Sequence, residues 1–233
     1  DGRWRAKAER GFRPVGAGLH KAGIRPDHIT ILGLLASLAA AVLIARGHLF
    51  YAAAALFACG VCDMLDGAVA RASAMAGPRG AFFDSVSDRV SDALLFIGVA
   101  WHLGGESARL PVLAMSVLAL SLLISYERAR AESLGFDARG GLMERAERLA
   151  LLGVGLTLDV LIPVLWLMGG LTALTAVHRF TKVWRQASPE RPLAPRWGRA
   201  RRGEIPVGMV PSRRLRRWWQ ARHPAGTSRL RSR

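Results

Sequence analysis

A succession of apolar segments separated by short polar stretches is the feature that most limits how this chain can fold. The segments are HITILGLLASLAAAVLIA, LFYAAAALFACGVC, AFFDSVSDRVSDALLFIGVAW, LPVLAMSVLALSLLISY, LALLGVGLTLDVLIPVLWL and MGGLTALTAV. A helix needs about 20 mostly apolar residues to cross a bilayer. We therefore predict an all-α integral membrane protein with six transmembrane helices. The last two are expected to be separated by a tight turn near Pro163 or at Gly169–Gly170.

The basic residues are distributed unevenly between the polar stretches. The chain has 33 Lys and Arg against 17 Asp and Glu. Most of the cations lie in the two terminal segments and in the stretches that follow the second and fourth apolar segments. Because cytoplasmic loops are enriched in Lys and Arg, this pattern predicts a multi-pass protein of the plasma membrane with both termini in the cytoplasm.

Three regions are expected along the chain. Residues 1–27 form a juxtamembrane segment, predicted as an interfacial amphipathic helix because one apolar stripe runs beside a basic face. Residues 28–184 form the membrane domain. Residues 185–233 are rich in Arg, broken by Pro and short of aliphatic side chains, so we expect a disordered cytoplasmic tail. The tail suits a role in fixing topology, or contact with anionic membrane lipids; nucleic acid is the least favoured partner.

Carboxylates at helical spacing follow the second apolar segment and interrupt the third. Asp66 comes three positions after Asp63, and Asp88 four positions after Asp84, so each pair shares one helix face. A turn containing Gly77 and Pro78 lies between them. Two antiparallel helices joined by this turn would direct both acid rows toward each other.

Converging carboxylates need bound cations, because otherwise they repel one another and become protonated. Ligand sets made only of oxygen favour hard ions such as Mg²⁺ or Mn²⁺. Two such ions suit phosphoryl transfer. Gly67 would let a phosphate approach the backbone, and Arg71 could hold it. A proton or cation pathway is the alternative interpretation, since acids within a membrane also mark such pathways.

The segment Asp63-x-x-Asp66-Gly67-x-x-Ala70-Arg71, followed by Gly80, Asp84 and Asp88 at fixed intervals, resembles the signature of the CDP-alcohol phosphotransferase family. The resemblance implies a membrane enzyme that joins an alcohol to the phosphatidyl group of a CDP-activated lipid and releases CMP. It also implies that four carboxylates hold two Mg²⁺ ions, with Mn²⁺ as an alternative. These are Asp63, Asp66, Asp84 and Asp88, of which Asp88 is also the general base.

The resemblance extends to the lipid substrate. It implies that Gly67 and Arg71 contact the CDP group. The Pro26-Asp27-His28-Ile29-Thr30 stretch is similar to the Pro-x-x-x-Thr cap that the family places over the nucleotide. As an alternative, Asp27 and Thr30 cap the start of the first helix.

The stretches ISYERARAESLG and GLMERAERLALLG resemble the phosphatidylinositol phosphate synthases of actinobacteria within this family. This resemblance implies inositol 1-phosphate as the acceptor and CDP-diacylglycerol as the donor. It also implies a phosphate clamp made of Arg128, Arg148 and Arg179, although the family commonly has Lys at the first of these positions. These arginines could instead fix topology and pair with neighbouring glutamates.

Other functions stay open at this point. Glycerol 3-phosphate, which is also phosphorylated, or an uncharged alcohol such as inositol could be the acceptor. Outside enzymes, a cation transporter could use the acid rows as its pathway, although clustering of the acids toward one side of the membrane favours the enzyme. Relatives in the family are dimers, so the resemblance also implies a homodimer.

Overall fold

The computed structural model describes Gly18, residues 25–72 and residues 77–187; for residues 70–72 only the backbone is described. Within these ranges the chain is all-α, as predicted, and has six helices. They are α1 (Pro26–Ala45), α2 (Leu49–Ala72), α3 (Pro78–Gly104), α4 (Leu110–Ser133), α5 (Arg145–Thr157) and α6 (Leu161–Gln186). The predicted interfacial helix within residues 1–27, apart from Gly18 and residues 25–27, and the tail from residue 188 onward lie outside the described residues.

Four of the helices, α1, α2, α4 and α6, are long and apolar enough to cross a membrane. They identify the chain as a membrane protein. Helix α3 has 27 residues but carries Asp84 and Asp88 in its first half and Asp92 just past its midpoint. Helix α5 has 13 residues, and at 1.5 Å per residue it spans only about 20 Å of a hydrocarbon core that is about 30 Å thick. The number of six spans therefore stays a prediction.

The turn between the last two helices lies close to one of its two expected positions, the one near Pro163. Helix α5 ends at Thr157 and α6 begins at Leu161, and Asp159 between them has a positive φ of 55°. Gly169–Gly170 lies inside α6, so that placement of the turn is wrong. Pro163 is the third residue of α6, within the first turn, where the missing N–H of proline costs no helical hydrogen bond.

Some of the helix pairs in contact are adjacent in the sequence, and others are not. Helix α1 contacts α2 and α3, α3 contacts α4, α4 contacts α6, and α5 contacts α2 and α6. Helices α1 and α3 approach closely at Gly98 of α3, where a Cβ atom would lie 2.5 Å from the carbonyl oxygen of Ala41 in α1. Ser91, two turns before Gly98 on α3, donates a hydrogen bond of 2.8 Å through its Oγ to Oγ of Ser37, one turn before Ala41 on α1. These small residues bring the two backbones together.

Helix direction alternates along the chain, and this alternation gathers distant residues at one end of the bundle. The starts of α1, α3 and α5 lie there with the ends of α2, α4 and α6, and they line one cleft or lie next to it. All of the predicted site residues come from these helix ends. At the other end, Gly47 follows α1, Gly105 follows α3 and Asp159 follows α5.

Candidate active site

The structure brings together carboxylates from the two predicted rows. Asp63 and Asp66 lie three residues apart on α2, and Asp84 lies in the second turn of α3 after the Gly77-Pro78 entry. One oxygen of each carboxylate lies within 4.8 Å of an oxygen of the other two. Three oxygens at this spacing can bind a divalent cation, and hard ions such as Mg²⁺ or Mn²⁺ prefer oxygen ligands.

Thr30 holds one member of this carboxylate trio in place. Its Oγ1 lies 3.1 Å from Asp66 Oδ2 and 3.2 Å from the carbonyl oxygen of Pro26. Both Thr30 and Asp66 are buried. The N-cap of α1 is Arg25, which makes no capping hydrogen bond through its side chain. Thr30 therefore does not cap the helix; it orients a carboxylate that lies 36 residues away in the sequence.

Asp88, one turn after Asp84 on α3, is not part of the trio but lines the same cleft. Its Oδ1 lies 2.9 Å from Nη1 of Arg145, and the same nitrogen lies 2.7 Å from Asp63 Oδ1. Arg145 therefore bridges the two acid rows. Sequence reasoning placed this arginine at the same end of the membrane domain but gave it no role. Its spacing of three residues from Arg148, which puts both on one face of α5, was the available signal.

A second ion pair lies deeper in the cleft, between Asp92 and Arg148. Arg148 Nη2 donates a hydrogen bond of 2.6 Å to Asp92 Oδ2, and the two side chains are only 4% and 7% exposed. Arg145 Nε lies 3.5 Å from the other oxygen of Asp92. Asp92, which stands outside the family signature, thus anchors one arginine of the predicted phosphate clamp.

The other two arginines of the predicted clamp have different surroundings. Arg179 is buried, and it donates to the carbonyl oxygens of Ile124 at 2.7 Å and Gly140 at 3.0 Å. Arg128 is exposed and pairs with Glu132 one turn later on α4, with 3.1 Å between Nε and Oε1. All three predicted arginines, Arg128, Arg148 and Arg179, line the cleft.

The cleft has a volume of about 680 Å³. Asp63, Asp84 and Asp88, from α2 and α3, line it. The predicted clamp and Arg145, from α4, α5 and α6, line the same cleft. Negative and positive side chains that line one cavity suit a reaction that joins a metal-bound phosphate to a second, phosphorylated molecule.

The remaining predicted residues lie near the carboxylate trio. Gly67 lines the cleft, one residue after Asp66. Pro26 and Asp27 form the first turn of α1 beside Thr30. Arg71 belongs to the last turn of α2, but its side chain lies outside the described residues.

The loop between α4 and α5 is fastened along one face of α6. Thr175 Oγ1 accepts the N–H of Met143 at 3.1 Å, Lys182 Nζ lies 2.9 Å from Asp137 Oδ2, and Gln186 Nε2 donates to the carbonyl oxygen of Asp137 at 2.7 Å. The N–H of Arg139 and the ammonium of Lys182 lower the pKa of Asp137. Together with Arg179, these contacts fix the loop that leads into Arg145 and Arg148.

Comparison with known proteins agrees with the geometry of this site. Residues 24–184 match the family CDP-alcohol phosphatidyltransferase. The chain is 36% identical over 192 residues to the phosphatidylinositol phosphate synthase of Mycobacterium tuberculosis, covering 77% of this chain and 88% of that protein. It is 42% identical over 145 residues to the enzyme of the same name from Mycobacteroides abscessus, covering 61% and 66%. It is also 40% identical over 159 residues to archaetidylinositol phosphate synthase of Methanothermobacter thermautotrophicus, covering 68% and 80%.

Two crystal structures of the M. tuberculosis phosphatidylinositol phosphate synthase resemble the fold. The one with CDP-DAG bound has a TM-score of 0.70 at 35% identity and covers 78% of this chain and 96% of that chain. The one in complex with manganese and citrate has a TM-score of 0.71 at 33% identity and covers 81% and 96%. Sequence, fold and carboxylate spacing agree, and the chain belongs to the CDP-alcohol phosphatidyltransferase family of enzymes.

Proposed function

We propose that this protein transfers the phosphatidyl group of CDP-diacylglycerol to inositol 1-phosphate, giving phosphatidylinositol phosphate and CMP. The observation that carries this proposal is that a cluster of carboxylates and a cluster of arginines line the same cleft. The first suits a diphosphate held through metal ions, and the second suits an acceptor that brings a phosphate of its own. The similarity to phosphatidylinositol phosphate synthases at 36–42% identity supports the same assignment.

Asp63, Asp66 and Asp84 would hold divalent metal, with Asp88 beside them, and two Mg²⁺ or Mn²⁺ ions fit four carboxylates. The oxygen-only donor set supports this choice of ion, as does the manganese in the related crystal structure. When bound, the ions supply charge that stabilises the attacking and leaving oxygens of a phosphoryl transfer. Thr30 orients Asp66 for this purpose through its 3.1 Å contact.

Asp88 is proposed as the general base. Its side chain is 25% exposed and lines the cleft, so an acceptor hydroxyl can reach it. Asp88 takes the proton of one inositol hydroxyl, whose oxygen attacks the phosphorus on the lipid side of the diphosphate. The bond from that phosphorus to the oxygen of CMP breaks, and CMP leaves with the electron pair. No covalent intermediate with the protein is needed.

The donor lipid is proposed to lie with its CDP group against α1 and α2 and its acyl chains in the bilayer. Gly67 gives the diphosphate close access to the backbone, and Arg71 adds a positive charge at the end of α2. Pro26, Asp27 and Thr30 lie over the same region at the start of α1. The CDP-DAG bound in the related crystal structure supports this choice of donor.

Arg128, Arg148 and Arg179 are proposed to hold the phosphate of inositol 1-phosphate. Arg148 and Arg179 are buried and fixed by Asp92 and by backbone carbonyls, so they present guanidinium groups whose orientation is set before the acceptor binds. Arg128 is exposed and would have to leave Glu132 to reach the acceptor. We therefore expect its contribution to be the smallest of the three.

The proposed setting is the plasma membrane, with six spans, both termini and the cleft facing the cytoplasm, and a homodimer as the working unit. The cleft lies at the helix ends adjacent to the basic stretches of the chain, which supports a cytoplasmic position. A cytoplasmic cleft gives the water-soluble acceptor direct access, while the donor enters from the lipid.

Replacement of Asp88 by Asn tests the assignment. Asp88→Asn keeps the shape of the side chain but removes its basicity, so the variant is expected to bind CDP-diacylglycerol like the wild type and to lose at least about 100-fold in CMP release. Asp159→Asn, on the exposed turn at the other end of the bundle, serves as the matched control. Normal turnover by Asp88→Asn would remove the general-base assignment.

The acceptor is tested separately through Arg148. If the acceptor is phosphorylated, Arg148→Gln should raise its KM while leaving CDP-diacylglycerol binding unchanged. If the acceptor is uncharged, its KM should be the same with Arg148→Gln as with the wild type. Cation flux into proteoliposomes in the absence of any lipid substrate would instead support the transporter.

A further inference from the structure

Arg145, the first residue of α5, lies between the two rows of carboxylates. Its Nη1 is 2.7 Å from Asp63 Oδ1 and 2.9 Å from Asp88 Oδ1, and its Nε is 3.5 Å from Asp92 Oδ1. Its side chain is only 16% exposed, so salt screens these ion pairs less than pairs on a surface. One guanidinium thus neutralises charge on α2 and α3 at the same time.

These contacts involve the same carboxylates that are proposed to act in metal binding and catalysis. Asp63 belongs to the trio that can bind a divalent ion, and Asp88 lines the cleft beside it. Arg145 forms ion pairs with these carboxylates at 2.7 and 2.9 Å and so already neutralises part of their charge, and a dication beside the same carboxylate would repel the guanidinium. Two cations that share ligands weaken each other's binding by the same factor, because the coupling free energy is reciprocal.

Resting on the function proposed above, we infer that Arg145 is an internal cation that a divalent metal ion has to displace from Asp63 and Asp88. This competition sets the metal concentration at which the site fills. It also gives the protein a stable arrangement of its acid rows when metal is scarce, since Arg145 then relieves the repulsion between α2 and α3. Arg145 is in this sense a positioning residue whose loss strengthens metal binding.

Arg89 provides a matched comparison. It lines the same cleft and follows Asp88 directly in the sequence, but its Nη1 donates to Oγ and to the carbonyl oxygen of Ser85, at 2.6 Å and 2.5 Å. Its loss removes the same positive charge from the cleft without freeing Asp63 or Asp88. Comparison of Arg145→Gln with Arg89→Gln therefore separates direct competition from a general change in electrostatic potential.

The experiment is a titration of the purified, full-length protein in detergent with Mn²⁺, without lipid substrate, in which electron paramagnetic resonance measures the free ion. Arg145→Gln is expected to lower the Kd for Mn²⁺ by about 10-fold or more, within the usual range of about 5–150-fold for coupled sites. Arg89→Gln should change it much less. When a chelator removes divalent metal, Arg145→Gln should unfold at a lower temperature than Arg89→Gln. Saturating Mn²⁺ should remove most of this difference in unfolding temperature.

Arg145→Lys keeps the test decisive if Arg145→Gln does not fold. A lysine retains the charge but has no counterpart of Nε, which lies 3.5 Å from Asp92, so its flexible ammonium is held less firmly between Asp63 and Asp88 than the guanidinium is. The Kd of Arg145→Lys for Mn²⁺ should therefore fall by about fivefold. An unchanged or higher Kd in both Arg145 variants would overturn the inference. Asp84→Asn distinguishes this failure from a failure of the proposed function: if Asp84→Asn binds Mn²⁺ like the wild type, the metal site itself is wrong.

Discussion

Replacement of Asp92 by Asn tests whether Arg148, which is proposed to bind the acceptor phosphate, is held by a buried ion pair. Asp92 Oδ2 lies 2.6 Å from Arg148 Nη2, and both side chains are more than nine-tenths buried. Arg148 Nε has no hydrogen-bond partner within the described residues, so few other groups compensate its charge once Asp92 is neutral. Arg145 also loses its 3.5 Å contact with Asp92.

The expected cost follows from this burial. Removal of one partner of a buried ion pair typically costs about 3–5 kcal/mol, because the other charge stays buried without compensation. For a chain of this size, 1 kcal/mol corresponds to roughly 2–4 °C in Tm, so Asp92→Asn should unfold roughly 6–20 °C below the wild type. Replacement of both partners by neutral side chains should restore much of this loss, since a buried pair adds little over a well-packed apolar pair.

The assay is thermal unfolding in detergent, followed by tryptophan fluorescence, of the wild type, Asp92→Asn, Arg148→Met and the double variant. Asp159→Asn controls for the loss of an aspartate elsewhere. The double variant should lie above Asp92→Asn, with an interaction energy of about 1–3 kcal/mol. Unfolding of Asp92→Asn within about 2 °C of the wild type would contradict a buried ion pair of this strength, and so would effects of the two single changes that simply add.

Three further predictions concern the fold around the site. Gly98→Ala should destabilise the protein by about 1–3 kcal/mol, because its Cβ would meet the backbone of α1, whereas Gly60→Ala, with open space around it, should be near neutral in the same unfolding assay. Thr175→Val should cost about 1–3 kcal/mol by leaving a loop N–H without its acceptor; Thr157→Val, an exposed position with the same bond to its own helix, should cost less than half as much. Because the pKa of Asp137 is lowered, its contribution is complete above the ordinary pKa of about 4 and is lost as the pH falls through the folded value. Amide protection in the 134–144 loop should fall over that range, and Asp137→Asn should show the reduced protection at neutral pH; equal protection in both proteins at pH 7 would contradict this.

The carboxylate site could be predicted because its information is local. Three-residue and four-residue spacings place acids on one helix face, and the Gly77-Pro78 entry forces the chain to reverse between the two rows. The structure accordingly brings Asp63, Asp66 and Asp84 within 4.8 Å. The same local logic predicted the all-α fold from the apolar segments.

Contacts between distant segments could not be predicted in this way. The pairing of Thr30 with Asp66 depends on the crossing of α1 and α2, and the division of roles between Arg145 and Arg148 depends on where α5 begins. The turn before α6 falls at Asp159, the only charged residue in an otherwise apolar run. That charge was a usable signal, because it favours the expected position near Pro163, which is close to the observed turn, over Gly169–Gly170.

The identity of the acceptor is tested most directly by CMP release from CDP-diacylglycerol in the presence of Mg²⁺, measured with inositol 1-phosphate, glycerol 3-phosphate and inositol in parallel. Asp84→Asn serves as the inactive control. We predict release of CMP with inositol 1-phosphate only, and none from the control. Release with glycerol 3-phosphate alone would agree with the proposed role of the carboxylates but contradict inositol 1-phosphate as the acceptor. Release by Asp84→Asn at the wild-type rate would contradict the proposed site itself.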